Sequence, residues 1–392
     1  MPPPDAPLAG RRLWFVGIGG AGLSAYARLA GAWGAEVGGW DRVATPYLDG
    51  LDVRIELSPE PVVPEGWEVV VSTAYPGVAG KRRAEFLAEL VSLRRSIVVG
   101  GTHGKGTVAA MITFVLHELG HDPAWLIGAP VPQLGANAGA GAGWLVVEGD
   151  ESDRTVFALP ATIAVVTNVE LDHHSEFASL AELEDEFARW AARAEHVVRD
   201  GRAWEGELAL PGEHNRRNAG AALEALELAR VARAEAAPVL ARFSGTGRRF
   251  DVDDAGDVTV VDDYGHHPSE IAATIAAVRE QFVGRRLRVL FQPHLYSRTR
   301  HLARELGVAL AGADDVAVTD VYPARESPLP GVTGKLVVDA LSDLGRVPAW
   351  TPTVEQGVDH VVRTVRPGDV VLVIGAGDVD CAPALLRERL GR

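Results

Sequence analysis

Lysine is almost missing from this chain. Only Lys81, Lys105 and Lys335 stand against 35 arginines in 392 residues. A genome biased toward arginine codons accounts for that ratio, yet the scarcity makes a lysine inside a glycine loop hard to dismiss as surface decoration. Cysteine is scarcer still. Cys381 is the only one, which excludes an intrachain disulfide framework and fits a reducing compartment. Positive charge is also short: the formal net charge is −15. That balance argues against a general nucleic-acid or anionic-membrane binder, whose affinity rests on dense Lys and Arg, while leaving room for a local basic pocket. No run of about 18 apolar, uncharged residues predicts a membrane span. The opening "MPPPDAPLAGRR" has no apolar stretch ahead of its arginine pair, so no signal peptide is expected. These absences predict a soluble, cytoplasmic protein with no nucleic-acid partner and no membrane insertion; a monomer or weak dimer is expected.

What remains is ample for folding. Apolar residues make up 47%, enough for a core in each of two to three domains at roughly 150 residues apiece. The pattern predicts an α/β protein of three domains, over residues 1–95, 96–245 and 246–392. In the first, the apolar run Leu13–Val16 enters a glycine turn, then a helix-period stretch and a short strand ending at Asp41: a βαβ unit. "WEVVVSTAYP" supplies a further strand. The second opens with "SIVVG", another glycine turn and a helix over 108–119. Strands "GWLVVEGDES" and "ATIAVVTNVELDHH" follow, then a helix over 180–193, and a strand, loop and helix in "LALPGEHNRRNAGAALEALELARV". The third alternates again, with strands in "VTVVDDYGHHP", "LRVLFQPH", "DDVAVTDVYP" and "DVVLVIGAGD" and a helix over 269–280. Apolar runs alternating with helices imply parallel sheets covered on both faces. The outer domains read as Rossmann-like, the central one as a P-loop ATPase-type sheet.

Two turns carry the phosphate signal. "GIGGAG" sets Gly17, Gly19 and Gly22 in the G-x-G-x-x-G pattern, with Asp41 nineteen residues beyond. Such a turn brings backbone N–H groups and a helix N-terminus to a pyrophosphate. It suits NAD, a UDP-sugar, or no ligand at all. "GGTHGKGT" follows a strand and precedes a helix, as a P-loop does, with Lys105 as a point charge for the β- and γ-phosphates. Gly106 stands where such loops place a Ser or Thr on Mg²⁺, Thr107 is one residue late, and Val99 replaces the first glycine. "VVEGDESD" ends a strand with Glu148, Asp150, Glu151 and Asp153, either a cation site or a solvated acidic turn. "TNVELDHH" ends another with His173 and His174. One nucleotide–metal site built from the strand ends bearing Lys105, Glu148 and His173 is the simplest reading.

The motifs "GTHGK", "EGDESD", "TNVELDH", "GEHNRRNA", "GRRF", "DDYGHHP", "FQPHLYSRTR" and "DVYPARESPLPGV" follow one another in the order seen in the Mur ligases. With "GIGGAGLSA", the resemblance covers nearly the whole chain and is closest to the UDP-N-acetylmuramate–L-alanine ligase branch. No lysine lies between Gly106 and Gly334, so the carbamylated lysine of several sister ligases has no counterpart, as in that branch. The resemblance implies ATP and Mg²⁺ or Mn²⁺ as cofactors, with UDP-N-acetylmuramate and L-alanine as substrates. It implies phosphorylation of the lactyl carboxylate and attack by the alanine amine on the acyl phosphate. It assigns Gly17, Gly19, Gly20, Gly22, Asp41 and Ser72 to the UDP-sugar. Thr102, His103, Gly104, Lys105, Gly106, Thr107, His214, Asn215, Asn218, Arg249 and Asp263 fall to ATP, and Glu148 and His173 to the metal. Tyr264, His266, His294 and Arg298 fall near the amino acid. Lys105, Glu148, His173, His266 and Arg298 are the implied catalytic set, with His266 a candidate proton acceptor from the amine.

Three departures accompany the likeness. Gly106 removes a hydroxyl from the metal shell, Leu295 stands where the family commonly has an arginine, and only 42 residues separate His173 from Asn215, implying a trimmed central domain. Water can replace a protein hydroxyl on Mg²⁺, so the expectation is a working ligase with an altered metal shell, in which Gly106→Thr keeps or raises activity. The alternatives are a weakened or non-catalytic nucleotide-sugar-binding relative and an NAD-dependent oxidoreductase.

Overall fold

The computed structural model describes residues 6–172, 176–199, 201–324 and 326–391. Its strands form three sheets. The first contains β1 (Arg12–Val16), β2 (Glu36–Asp41), β3 (Arg54–Leu57), β4 (Glu68–Val71) and β5 (Lys81–Arg82) in the order β3-β2-β1-β4-β5, all parallel. The second contains β6 (Ser96–Gly100), β7 (Ala124–Val131), β8 (Ala136–Gly139), β9 (Leu145–Glu148), β10 (Ile163–Val166) and β11 (His196–Arg199), ordered β11-β10-β6-β9-β7-β8. Only the β7–β8 pair is antiparallel. The third contains β12 (Asp251–Ala255), β13 (Val258–Asp263), β14 (Leu287–Phe291), β15 (Asp315–Val318), β16 (Ala349–Trp350) and β17 (Val370–Ile374), ordered β12-β13-β17-β14-β15-β16, with β12 antiparallel at the edge.

The helices are α1 (Ala21–Ala32), α2 (Arg83–Ser92), α3 (Lys105–Glu118), α4 (Leu180–Ala191), α5 (Glu213–Leu228), α6 (Arg233–Leu240), α7 (Pro268–Gln281), α8 (Tyr296–Leu310), α9 (Lys335–Asp343), α10 (Val354–Thr364) and α11 (Ala382–Leu390). No helix among the described residues is long and apolar enough to cross a membrane. The chain divides into two compact units. One comprises Met1–Glu170, Leu180–Glu207 and Arg217–Thr246; the other comprises Leu171–Ser179, Leu208–Arg216 and Gly247–Arg392. The first and second sheets therefore share a unit, and the third forms its own.

The sequence explains where each core sits. In the second sheet, β6, β9 and β10 are short apolar runs buried on both faces, as interior parallel strands must be. Every residue of α3 from Thr107 to Leu116 is buried, so this helix runs through the core and fixes the turn before it. The third sheet has helices on both sides, and alternation sorts its side chains. On β17, Val370, Leu372 and Ile374 join the core holding Ile271 and Val278 of α7, Leu306 and Leu310 of α8, and Val337 and Leu341 of α9. Val371 and Val373 face the core with Val358 and Val361 of α10 and Leu386 of α11.

The first sheet departs from the expected two-sided helical cover. Trp14, Val16, Trp40 and Val71 pack beneath Trp67, Tyr75 and Val78 of irregular segments instead. Indole groups anchor that cover, Trp14 Nε1 donating to Val62 O at 2.7 Å and Trp40 Nε1 to Ser58 Oγ at 2.7 Å. A second departure lies at 208–210, expected as a strand. These residues are irregular; "LAL" is bounded at once by Pro211 and Gly212, too short a run to pair.

Candidate active site

Open α/β sheets bind ligands beyond the carboxyl ends of their strands, where strand order reverses. In the first sheet that reversal lies between β1 and β4, with Gly17 and Ser72 as the residues leaving the two strands. Gly17 has φ +88°, and a Cβ there would lie 2.8 Å from Ser72 Cβ, so the turn requires glycine. Asp41 does not project into the crevice. Its Oδ2 accepts the Gly19 N–H and its Oδ1 the Arg42 N–H, both at 2.7 Å, while Thr45 Oγ1 donates to Gly19 O at 2.6 Å. The acid is a brace for the glycine turn, which removes the ribose contact that an NAD site asks of it. The open first turn of α1 is met by an arginine that sequence reasoning missed. Arg83 Nη1 lies 3.2 Å from where a Cβ on Gly22 would sit, and Nη2 donates to Asp153 at 3.2 Å.

The second turn is braced from behind. Gly101 and Gly104 lie at φ +126° and +79°. A Cβ on the first would be 2.2 Å from Thr167 Oγ1, and on the second 2.5 Å from Asn218 Oδ1, which puts Asn218 against the turn. Thr102 N donates to Asn168 O at 2.9 Å, and Thr102 Oγ1 donates to Glu170 O at 3.0 Å. The Asn168 amide brackets His103, accepting its N–H and donating to its carbonyl, both at 2.9 Å. The His103 imidazole lies 3.6 Å from the Glu170 carboxylate. The first bond closing α3 runs from Val108 N to Gly104 O. The N–H groups of Gly104, Lys105, Gly106 and Thr107 precede it and face outward at a positive helix end, the arrangement that binds phosphate.

Charged groups converge on that helix start. Glu148, last residue of β9, accepts the Gly128 N–H on Oε2 at 2.6 Å. Both its oxygens lie 3.2 Å from where a Cβ on Gly106 would sit. Lys105 Nζ lies 2.9 Å from Glu151 Oε2 and donates to Thr102 O at 2.9 Å. Burial opposes its charge, but Glu151, Asp150 and Glu148 outweigh that and hold its pKa above the usual lysine value. Burial likewise works against Asp150, and Lys105 holds it below the usual carboxylate range. His173 and His174 lie outside the described residues.

The third sheet gathers the remaining predicted residues of its unit. Tyr264 and His266 follow β13, and His294 follows β14. The His266 ring contacts Tyr264 edge-on at 5.5 Å and His294 at 5.4 Å between centroids, and His294 stacks on Tyr322. Arg298, buried on α8, forks Asp172, Nε to Oδ1 at 3.0 Å and Nη2 to Oδ2 at 2.8 Å, with Nη1 3.0 Å from His294 Nδ1. Burial, then the Arg298 charge, lowers the His266 pKa to about 3. Against these protein charges alone the imidazole is neutral and a weak proton acceptor, so its geometry suits orienting an amine better than deprotonating it.

Arg249 sits between two left-handed residues, Arg248 at φ +55° and Phe250 at +58°. It lies over the Tyr264 ring at 5.2 Å and 3.5 Å from Glu270. Asp263 supports this bend from beneath. Its Oδ2 accepts Phe250 N at 3.0 Å, and its Oδ1 accepts Gly265 N at 2.8 Å and Thr274 Oγ1 at 3.3 Å. Burial pushes its carboxyl up to about 6. His214 has its pKa lowered by burial and by Arg249, and Asn215 Nδ2 donates to Pro211 O at 2.8 Å. Leu295 caps α8 at φ +69°.

The chain is similar to known proteins over most of its length. The family model described as Mur ligase, glutamate ligase domain, matches residues 248–377. The UDP-N-acetylmuramate–L-alanine ligase of Streptomyces coelicolor is 36% identical over 457 residues, spanning 98% of this chain and 99% of that protein. The enzyme of the same name from Paenarthrobacter aurescens is 36% identical, spanning 97% of each. Both alignments exceed the 392 residues of this chain, so the relatives carry segments it lacks. The crystal structure of UDP-N-acetylmuramate-alanine ligase from Thermotoga maritima superposes with a TM-score of 0.77 at 25% identity, over 96% of this chain and 98% of that one. The chain belongs to the Mur ligase family, on its UDP-N-acetylmuramate–L-alanine ligase branch.

Proposed function

We propose that this protein joins L-alanine to the lactyl carboxylate of UDP-N-acetylmuramate at the expense of ATP, through an acyl phosphate, in peptidoglycan precursor synthesis in the cytoplasm. The observation that carries the reading is the start of α3, where Lys105 and Glu148 meet four outward N–H groups, in a chain related over its full length to ligases of that name. In this reading the three sheets mark three domains: the first for the UDP-sugar, the second for ATP, the third for the amino acid and for ATP through Arg249, His214 and Asn215.

Phosphoryl transfer to a carboxylate crowds anions together, so the protein's contribution is neutralisation and positioning. The N–H groups of residues 104–107 and the Lys105 ammonium receive the β- and γ-phosphates. The donors at Glu148 fit a hard divalent cation such as Mg²⁺: an anchored carboxylate whose Oε1 takes no hydrogen bond among the described residues, beside glycines that leave room for water. When bound, the cation supplies charge stabilisation to the terminal phosphates, with Glu148 and, in this reading, His173 holding it. Arg298 and His294 orient the reacting carboxylate, and His266 with Tyr264 aligns the amine, which enters as the free base. Asp41 and Asp263 act by bracing the turns that touch ligand.

Phosphate release tests the proposal. Turnover is expected only when ATP, UDP-N-acetylmuramate and L-alanine are all present. Binding of the UDP-sugar with no alanine-dependent release would make this a non-catalytic relative, the reading that Gly106 and Leu295 favour.

A further inference from the structure

The phosphate-binding role of Lys105 leaves unexplained why its ammonium lies against a second carboxylate. Glu151 belongs to the turn after β9, three residues beyond Glu148, and its side chain is only 2% exposed. A carboxylate that deeply buried is costly unless a cation meets it, and the Lys105 ammonium lies 2.9 Å away. The same nitrogen donates to Thr102 O at 2.9 Å, so a hydrogen bond on one side and an ion pair on the other hold the ammonium. Thr102 in turn is tied to Asn168 and Glu170, which makes the carbonyl end of this fork rigid as well.

We infer that Glu151 is a positioning residue for the phosphate lysine: through its ion pair, and with the hydrogen bond to Thr102 O, it fixes the Lys105 ammonium where it meets the nucleotide. A lysine side chain otherwise carries rotamer freedom that phosphate binding would have to remove. Glu148 is left free by this division of labour. One carboxylate of the acidic turn fixes the lysine, and the other faces the first turn of α3 for a cation. The inference rests on the proposed phosphate role of Lys105.

The test measures affinity for the Mg²⁺ complex of an imido-bridged ATP analogue in the full-length protein carrying Lys105→Met, Glu151→Ala or Glu151→Gln. Affinity for UDP-N-acetylmuramate and the melting temperature are read in parallel. Lys105→Met and Glu151→Ala are each expected to weaken the analogue about 10–100-fold, the range for losing a hydrogen bond to a charged group. Glu151→Gln keeps an oxygen acceptor in place and recovers part of that loss. UDP-sugar affinity stays at the wild-type value in all three, which a general structural defect would not allow. If Glu151→Ala does not fold, folded Glu151→Gln decides: weakened analogue binding supports the inference and wild-type binding overturns it. Wild-type analogue affinity in Glu151→Ala beside a weakened Lys105→Met overturns the Glu151 role alone. Wild-type affinity in Lys105→Met removes the phosphate role of the lysine itself, and the inference with it.

Discussion

At the end of β1 the chain turns through Gly17–Gly22 into α1; at the end of β6 it turns through Gly101–Gly104 into α3. Both turns need positive φ, both open onto a helix N-terminus, and both are braced by a polar side chain from another segment. The braces work differently. Asp41 accepts a loop N–H, spending one of the donors an anion would use, whereas Asn168 holds His103 and leaves the N–H groups of residues 104–107 facing out. The cations differ too. The second turn contains its own, Lys105, fixed by Glu151; the first has none and meets Arg83 from α2. A lysine inside the turn moves with the helix start, while a borrowed arginine makes the first site depend on the packing of α2 and on Asp153.

That contrast can be broken from either side. Arg83→Ala is expected to weaken UDP-N-acetylmuramate about 10–100-fold, as loss of a charged hydrogen-bond donor does, with affinity for the ATP analogue unchanged in the same titration. An unchanged UDP-sugar affinity would mean that the first turn binds its diphosphate through backbone alone. Asp41→Ala should cost about 2 kcal/mol of stability by removing a buried charged acceptor from two backbone N–H groups, read as a lower melting temperature. Asp41→Asn, which keeps one acceptor oxygen, should cost less, and equal losses would show that charge rather than geometry is what the brace supplies. The smallest effect sharpens the second turn. From sequence, Gly106→Thr restores a missing metal ligand. In the structure its Cβ would stand 3.2 Å from both Glu148 oxygens, tighter than a relaxed contact. Overpacking of this kind costs about 1 kcal/mol at its mild end, so the Mg²⁺ concentration for half-maximal turnover is expected to rise severalfold. A fall would show that Glu148 moves aside and the hydroxyl joins the metal.

Much of this was legible in the residues. The strand, glycine turn and helix around Lys105 could be read from local pattern, because β6 and α3 are buried on all sides and so carry unbroken apolar runs. Asn168 and Asp172 stand in "TNVELDHH" beside two histidines, whose side chains carry the stronger signal for chemistry. An Asn or Asp beside a strand end gives no sign of which distant loop it will hold. Arg83 was invisible for a similar reason: sixty-one positions separate it from Gly22, and one arginine among 35 carries no signal. The pattern predicts none of the helices α2, α6 and α8 to α11, and none of the strands β3, β5, β7, β8, β11, β12 and β16. The β7–β8 segment is rich in Gly, Ala and Pro, small residues whose pairing depends on neighbours rather than on propensity.

The path of the chain between its two compact units has a practical outcome. Asp172, the counter-ion of buried Arg298, comes from Leu171–Ser179 and precedes Asp251, the first residue of the third sheet that its unit is built on, by 79 residues. A fragment starting at Gly247 would keep every strand of that sheet and still seal an unneutralised guanidinium inside, a defect of about 3–5 kcal/mol. Proteolysis at Thr246 should therefore yield a C-terminal piece that melts early or clumps, even though its sheet and both apolar layers are intact.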